Sequence, residues 1–221
     1  MIYINGHDLA LDQVIMVARH GEKAALSEEA KQAVNKARAY VDKKLSEHAV
    51  IYGLTTGFGK FSDTFVPEEE TAALQRNLII SHSCGMGNPL PTEAVRAAML
   101  LRCNALSKGN SGIRLSTIET MLEMLNRGVH PIIPEKGSLG ASGDLAPLSH
   151  IVLVMLGEGE AEYQGVRMTG KEAMEKAGIP TIELAAKEGL ALINGTQIMM
   201  GVACNVVYDA LDLMKTADIA A

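Results

Sequence analysis

From Ser27 to Leu45 the apolar residues recur as Ala30, Val34, Ala37, Val41 and Leu45, the three-to-four-residue spacing of one helix face. The rhythm returns in "AVRAAMLLRCNALS", after Ser116, and again from about residue 197 onward. Such a chain must bury helix against helix, so the expectation is a mainly α protein with minor β. Its 221 residues, 48% of them hydrophobic, suffice for one large core or two small ones. Trp is absent and aromatics supply only 4%, so the core is expected to be Leu, Ile, Val, Ala and Met, with most of the 12 methionines as filler.

Local signals set the expected boundaries. Asn5-Gly6 reads as the turn of a hairpin joining residues 2–4 to 8–10. A helix then stops at His20-Gly21, Ser27 caps the next, and Pro67 with three following glutamates opens a third. Thr92 starts a fourth. Ser116 and Glu119 predict a capping box for a helix that stops at Gly128. A helix is expected from about Asp144 to Leu156, then a small hairpin in "AEYQGVRMT", then helical stretches around 184–193 and from about 197 to the end. The chain is still in helical rhythm at Ala221, with no Gly or Asn stop, which predicts more protein beyond it.

A net charge of −6 without a basic stripe argues against nucleic acid and anionic membranes as partners. Cys84, Cys103 and Cys204 are odd in number and far apart, which fits buried free thiols in a reducing cytoplasm. The N-terminus lacks a signal-peptide pattern, and the run "IVLVMLG" is too short to span a bilayer.

The chemistry is concentrated in "EKGSLGASGDLAPLSH", residues 135–150. It is not a nucleophile elbow, because Asp144 stands where that motif needs Gly. "GLTTGFGKF" fails as a phosphate-binding loop, and "SHSC" lacks a second pair at zinc spacing, so no metal site is expected. Ala141-Ser142-Gly143 has another capacity. The unhindered Gly143 amide nitrogen can attack the Ala141 carbonyl in a tightly bent loop, and the Ser142 hydroxyl can leave as water. Loss of two waters leaves an exocyclic methylidene, a strong electrophile. From spacing alone, a Gly-rich start of a helix with Asp144 as its cap accounts for the same residues.

"GSLGASGDLAPLSH" resembles the signature of the aromatic amino acid ammonia-lyases, in which Ala-Ser-Gly becomes 4-methylidene-imidazol-5-one (MIO). "YGLTTGFGKF", "LQRNLIISHSCGMG", "GNSGIR" and "LALINGTQ" resemble four further blocks of that family, in family order across essentially the whole chain. Ser81-His82 is similar to the histidine-specific members. Thr55 and Asn110 depart from them: many have Asn at the first position, and an aromatic is common at the second.

The resemblance implies a fold and a set of roles. Residues 1–195 would be the family's N-terminal α-rich domain, and 196–221 the start of its central helical bundle. The reaction implied is L-histidine to urocanate and ammonia in a cytoplasmic homotetramer with shared active sites, with no external cofactor. Phenylalanine or tyrosine lyase, or an aminomutase, is the alternative within the family. Ser142 would carry the MIO methylidene, with Ala141 and Gly143 completing the ring. Tyr52 would be the catalytic base, His82 would face the substrate imidazole, and Asn194 would contact the prosthetic group and the substrate carboxylate. Asp144 would support cyclisation and cap its helix. Read singly, Tyr52 is a packing tyrosine, His82 a helix-end capping partner and Asn194-Gly195 a helix stop. Members of this family are more than twice as long, so the chain by itself is expected to be inactive, either a fragment or one half of a split enzyme.

Overall fold

The computed structural model describes residues 1–47, 51, 54, 56, 68–140 and 143–221, with the backbone alone for 68–70. Tyr52, Thr55, Pro67, Ala141 and Ser142 lie outside the described residues.

The expected N-terminal hairpin is replaced by a parallel pair. Strand β1 (Ile2–Ile4) lies beside β2 (Ala24–Leu26), with Ile2 opposite Ala24, and helix α1 (Leu11–His20) forms the crossover. Asn5 explains the difference: its Oδ1 accepts the amides of His7 and Asp8 at 2.8 and 3.2 Å, turning the chain toward α1 rather than back along β1. α1 stops at Gly21, φ 71°, as its sequence predicts. Ser27 caps α2 (Glu28–Ser46) by accepting the Ala30 amide at 3.2 Å. Helix α3 covers Glu68–His82.

Helix α4 (Thr92–Leu106) is largely buried, with Ala97, Ala98, Met99, Leu100 and Cys103 inaccessible to solvent and Arg96 and Arg102 buried beside them. It packs against α1, α5 (Leu115–Arg127) and α9 (Gln197–Ala220). The α4–α9 crossing is close at Gly201, where a Cβ would stand 2.9 Å from both Ala94 O and Ala98 N. The capping box expected at Ser116 and Glu119 does not form: Ser116 lies inside the first turn, and the N-cap is Arg114. The Arg114 amide donates instead to Glu188 Oε1 at 3.0 Å, so a distant carboxylate takes the cap's place.

Strands β3 (Met86–Pro89) and β5 (Pro134–Lys136) pair antiparallel, while β4 (Val129–Pro131), β6 (Glu160–Tyr163) and β7 (Val166–Thr169) form a sheet in the order β4-β6-β7. The predicted hairpin is β6–β7. Helix α6 spans Leu145–Met155 and α8 spans Glu188–Ile193. Helix α7 (Gly170–Lys176) has no counterpart in the sequence reading, although Thr169 and Glu172 form the capping box that announces it.

Two compositional expectations need correction. Cys84 is exposed and Cys204 half-buried, leaving only Cys103 of the three free thiols in the core. Met99, Met121, Met124, Met155 and Met174 are core residues, but Met199, Met200 and Met214 lie on the open face of α9. That face continues through Val206, Leu213 and Ile219 to the end of the helix. The stretch Glu188–Ala220 is long and apolar enough to cross a membrane, although α9 begins packed on α4.

Candidate active site

The small-residue loop joins β5 to α6. Leu139 N donates to Gly143 O at 3.0 Å, an isolated antiparallel bridge between these two residues. Gly143 has φ 80°, and a Cβ there would meet Ser138 Oγ at 2.8 Å, so dihedral and space both demand glycine.

Asp144 is 2% exposed and is the N-cap residue of α6, but its side chain makes no cap bond to that helix. The capping role assigned from sequence is therefore corrected. Oδ2 accepts the amides of Ile198 and Met199 at 2.9 and 3.1 Å, in the first turn of α9. The loop's local sequence faces a helix that begins 50 residues later, and that helix offers unpaired amides which α6's own first turn must compete with. The positive ends of α6 and α9 thus meet at one carboxylate. Burial raises the Asp144 pKa above the usual carboxylate range, against the pull of the two amides.

His82 ends α3 half-buried, with Nδ1 2.8 Å from Leu78 O and 3.2 Å from Ser81 Oγ. A carbonyl only accepts, so Nδ1 carries a proton in that bond. Just beyond, Gly85 packs against the loop: a Cβ on Gly137 would lie 3.3 Å from Gly85 Cα and 3.5 Å from Ala146 Cβ. The Gly85 amide donates to His150 Nε2 at 3.1 Å, and burial lowers the His150 pKa, favouring the neutral ring that this bond needs.

Asn194 ends α8 with its side chain exposed. Its carbonyl accepts from Arg102 Nη1 at 3.1 Å, and the same guanidinium bonds Gln197 Oε1 at 2.7 Å and the carbonyl of Ala191. Arg102 is 4% exposed, has no carboxylate partner among the described residues, and is pushed down to about 10 by burial. Sequence reasoning missed it. The signal was an arginine within the apolar run of α4; in the fold its two Nη groups are bonded, while the buried Nε finds no partner among the described residues.

The backbone therefore gathers the His82 segment, the loop at Gly143, Asp144 and the Asn194 turn. Gly85 bridges the first two, and the Asp144–Ile198 bond reaches the helix that follows Asn194. Among the described residues no hydrogen bond joins the side chains of His82, Asp144 and Asn194 directly. Tyr52, Ala141 and Ser142 lie outside the described residues.

The family model described as aromatic amino acid lyase matches residues 9–221. A histidine ammonia-lyase of Alkaliphilus oremlandii is 62% identical over 220 residues, covering 100% of this chain and 43% of that protein. Among solved structures, the histidine ammonia-lyase from Trypanosoma cruzi matches with TM-score 0.91 and 39% identity, over 99% of this chain and 42% of the other. The Pantoea agglomerans phenylalanine aminomutase matches with TM-score 0.92 and 38% identity, over 98% and 42%. The mainly α fold is thus the fold of the N-terminal part of these enzymes. The chain spans 43% of the length of that curated relative.

Proposed function

The chain belongs to the aromatic amino acid lyase family, and from that premise we propose that it carries the electrophile-forming part of an ammonia-lyase that converts L-histidine to urocanate and ammonia. The observation that supports this reading is the bond from Leu139 N to Gly143 O, with Gly143 at φ 80°, at the two ends of the segment that holds Ala141-Ser142-Gly143. Identity of 62% to a histidine ammonia-lyase favours histidine over the aminomutase chemistry of a structural neighbour with the same fold.

The residues fit the prosthetic group. MIO, formed from Ala141, Ser142 and Gly143 without an external cofactor, supplies an electrophilic methylidene that makes the substrate amine a better leaving group. In our reading Asp144 holds the first turns of α6 and α9 together at the loop, and their positive ends favour anionic groups nearby. Such a field lowers the cost of ionising the Tyr52 phenol, which then takes the weakly acidic β-proton. His82, with Nδ1 committed to Leu78 O, presents Nε2 to the substrate imidazole. Asn194, its backbone carbonyl tied to Arg102, has an exposed side chain with no hydrogen bond among the described residues, and in this reading its amide takes the substrate carboxylate.

The same reading takes the working enzyme as a cytoplasmic homotetramer, residues 196–221 as the start of its helical bundle, and this chain alone as inactive. The test has two readouts. Mass spectrometry of the peptide spanning Ala141–Gly143 should show the loss of two waters. Product analysis on L-histidine, L-phenylalanine and L-tyrosine, with the chain alone and mixed with the C-terminal part of a histidine ammonia-lyase, should give urocanate only, and only in the mixture. Cinnamate, coumarate or a β-amino acid instead would overturn the histidine assignment, and urocanate from the isolated chain would overturn its inactivity.

A further inference from the structure

Helix α4 buries two arginines, and their donors are used differently. Arg96 Nε, Nη1 and Nη2 all donate, to the carbonyls of Val17, Ala18 and Leu125, and Nη1 also reaches His130 Nε2. None of these acceptors belongs to a candidate site residue. Arg102 directs both Nη groups at the junction of α8 and α9, and its buried Nε is left without a partner among the described residues. A buried donor left unpaired costs stability, so the reason for this arginine lies in what its other bonds achieve.

Those bonds fix one turn. The carbonyls of Ala191 and Asn194 end α8, where the helix itself offers them no donor, and Gln197 is the first residue of α9. Gly195, between them, has its φ outside the left-handed region, so its backbone does not call for glycine. Space does: a Cβ there would overlap Gln197 Oε1 and Arg102 Nη1. The turn is thus packed directly on the guanidinium. Just beyond it, Asp144 Oδ2 accepts the amides of Ile198 and Met199. A run of bonds therefore leads from Asn194 through Arg102 and Gln197 into the first turn of α9, and from there to the residue that follows Gly143. The Asn194 side chain makes no hydrogen bond of its own among the described residues, so its backbone alone aims it.

We propose that Arg102 is a positioning residue: it fixes the Asn194 turn against the start of α9, and so sets where the Asn194 side chain stands relative to the loop at Gly143 and Asp144. The catalytic consequence rests on the ammonia-lyase reading, in which that side chain takes the substrate carboxylate. Loosening the turn then weakens the hold on substrate.

Two measurements test this, the first without any assay of activity. Lysine keeps the charge but cannot span the three acceptors, and Gly195→Ala displaces the guanidinium while leaving Arg102 in place. In the isolated chain, Arg102→Lys and Gly195→Ala, each checked for folding by circular dichroism, should quicken hydrogen exchange of the Asn194 amide about tenfold or more and leave α5 unchanged. Unaltered exchange at Asn194, or equal quickening in α5, would overturn the positioning role. The second measurement takes KM and kcat for L-histidine in the mixture with the C-terminal part of a histidine ammonia-lyase. Arg102→Lys should raise KM about tenfold, whereas a mere loss of folded protein would lower the maximal rate and leave KM as it was. In the Asn194→Ala background the same substitution should change KM by less than about twofold, because the group it acts through is gone. An unchanged KM, or an equal rise in that background, would also overturn the proposal. If the unaltered mixture forms no urocanate, the ammonia-lyase reading is what fails, and hydrogen exchange decides whether Arg102 fixes the turn.

Discussion

Asp144 Oδ2 lies 2.9 Å from the amide of Ile198, joining the small-residue loop to a helix 54 positions further along the chain. Replacing Asp144 with Ala leaves the amides of Ile198 and Met199 buried or half-buried without an acceptor, at a cost of about 1–3 kcal/mol in urea unfolding. Asp144→Asn keeps an acceptor and should be at least as stable as the parent at neutral pH. The sign follows from the raised pKa. The stabilisation tied to the protonated form is complete below the ordinary carboxylate pKa and is lost as pH rises through the folded one. Asp144→Asn should therefore flatten that part of the stability–pH curve.

His130 gives the opposite slope. Burial, and then Arg96, whose Nη1 donates to His130 Nε2 at 3.0 Å, push its pKa from 6.5 to about 4. Glu162 at 3.8 Å favours the charged ring but is outweighed. The unfolded chain binds the proton first as pH falls, so stability is full above about 6.5 and declines toward 4, by about 2–3 kcal/mol in all. Urea titrations across that range should show the decline, and His130→Gln should remove most of it.

Glu188 is wholly buried and accepts from the Arg114 side chain, Thr117 Oγ1 and the amides of Arg114 and Ala185. Glu188→Ala strands all of these donors and should cost about 3–5 kcal/mol. Glu188→Gln retains the packing and part of the bonding, and should lose less. Thermal melts of the two variants would separate the effects of shape and charge.

Gly201→Ala probes the α4–α9 crossing. With Ala94 O and Ala98 N each 2.9 Å from the new methyl, the helices must separate, at a cost of about 1–3 kcal/mol. Hydrogen exchange should quicken in the first turns of α9, while the β4-β6-β7 sheet remains unchanged. Faster exchange throughout would show that α9 belongs to the same cooperative unit as the sheet.

What could be read in advance was what depends on near neighbours in sequence. Ser27, Gly21 and Gly128 act within a turn of themselves, and their helix boundaries follow the sequence. The misreadings share one cause, a partner far along the chain. Ser116 and Glu119 spelled a capping box, but Glu188 supplied the carboxylate from another helix. Asp144 looked like a local cap and bonds α9 instead. The short N-terminal strand found its partner across α1 rather than across the Asn5-Gly6 turn. In the candidate site, His82 and Asn194 were legible as motif residues. Arg102, which anchors the Asn194 turn, bonds groups 89 to 95 positions away and follows no motif named in the sequence reading.

The bond from Asp144 to Ile198 also sets an order in time. A ribosome delivers residue 144 long before residue 198, and the carboxylate has no α9 amide to hold until those 54 further residues have emerged. The anchorage of Asp144 therefore waits for α9. A pause or cleavage in that interval would release a chain in which the Asp144 carboxylate lacks its two α9 amides, so this bond couples the anchorage of the region to completion of the helix.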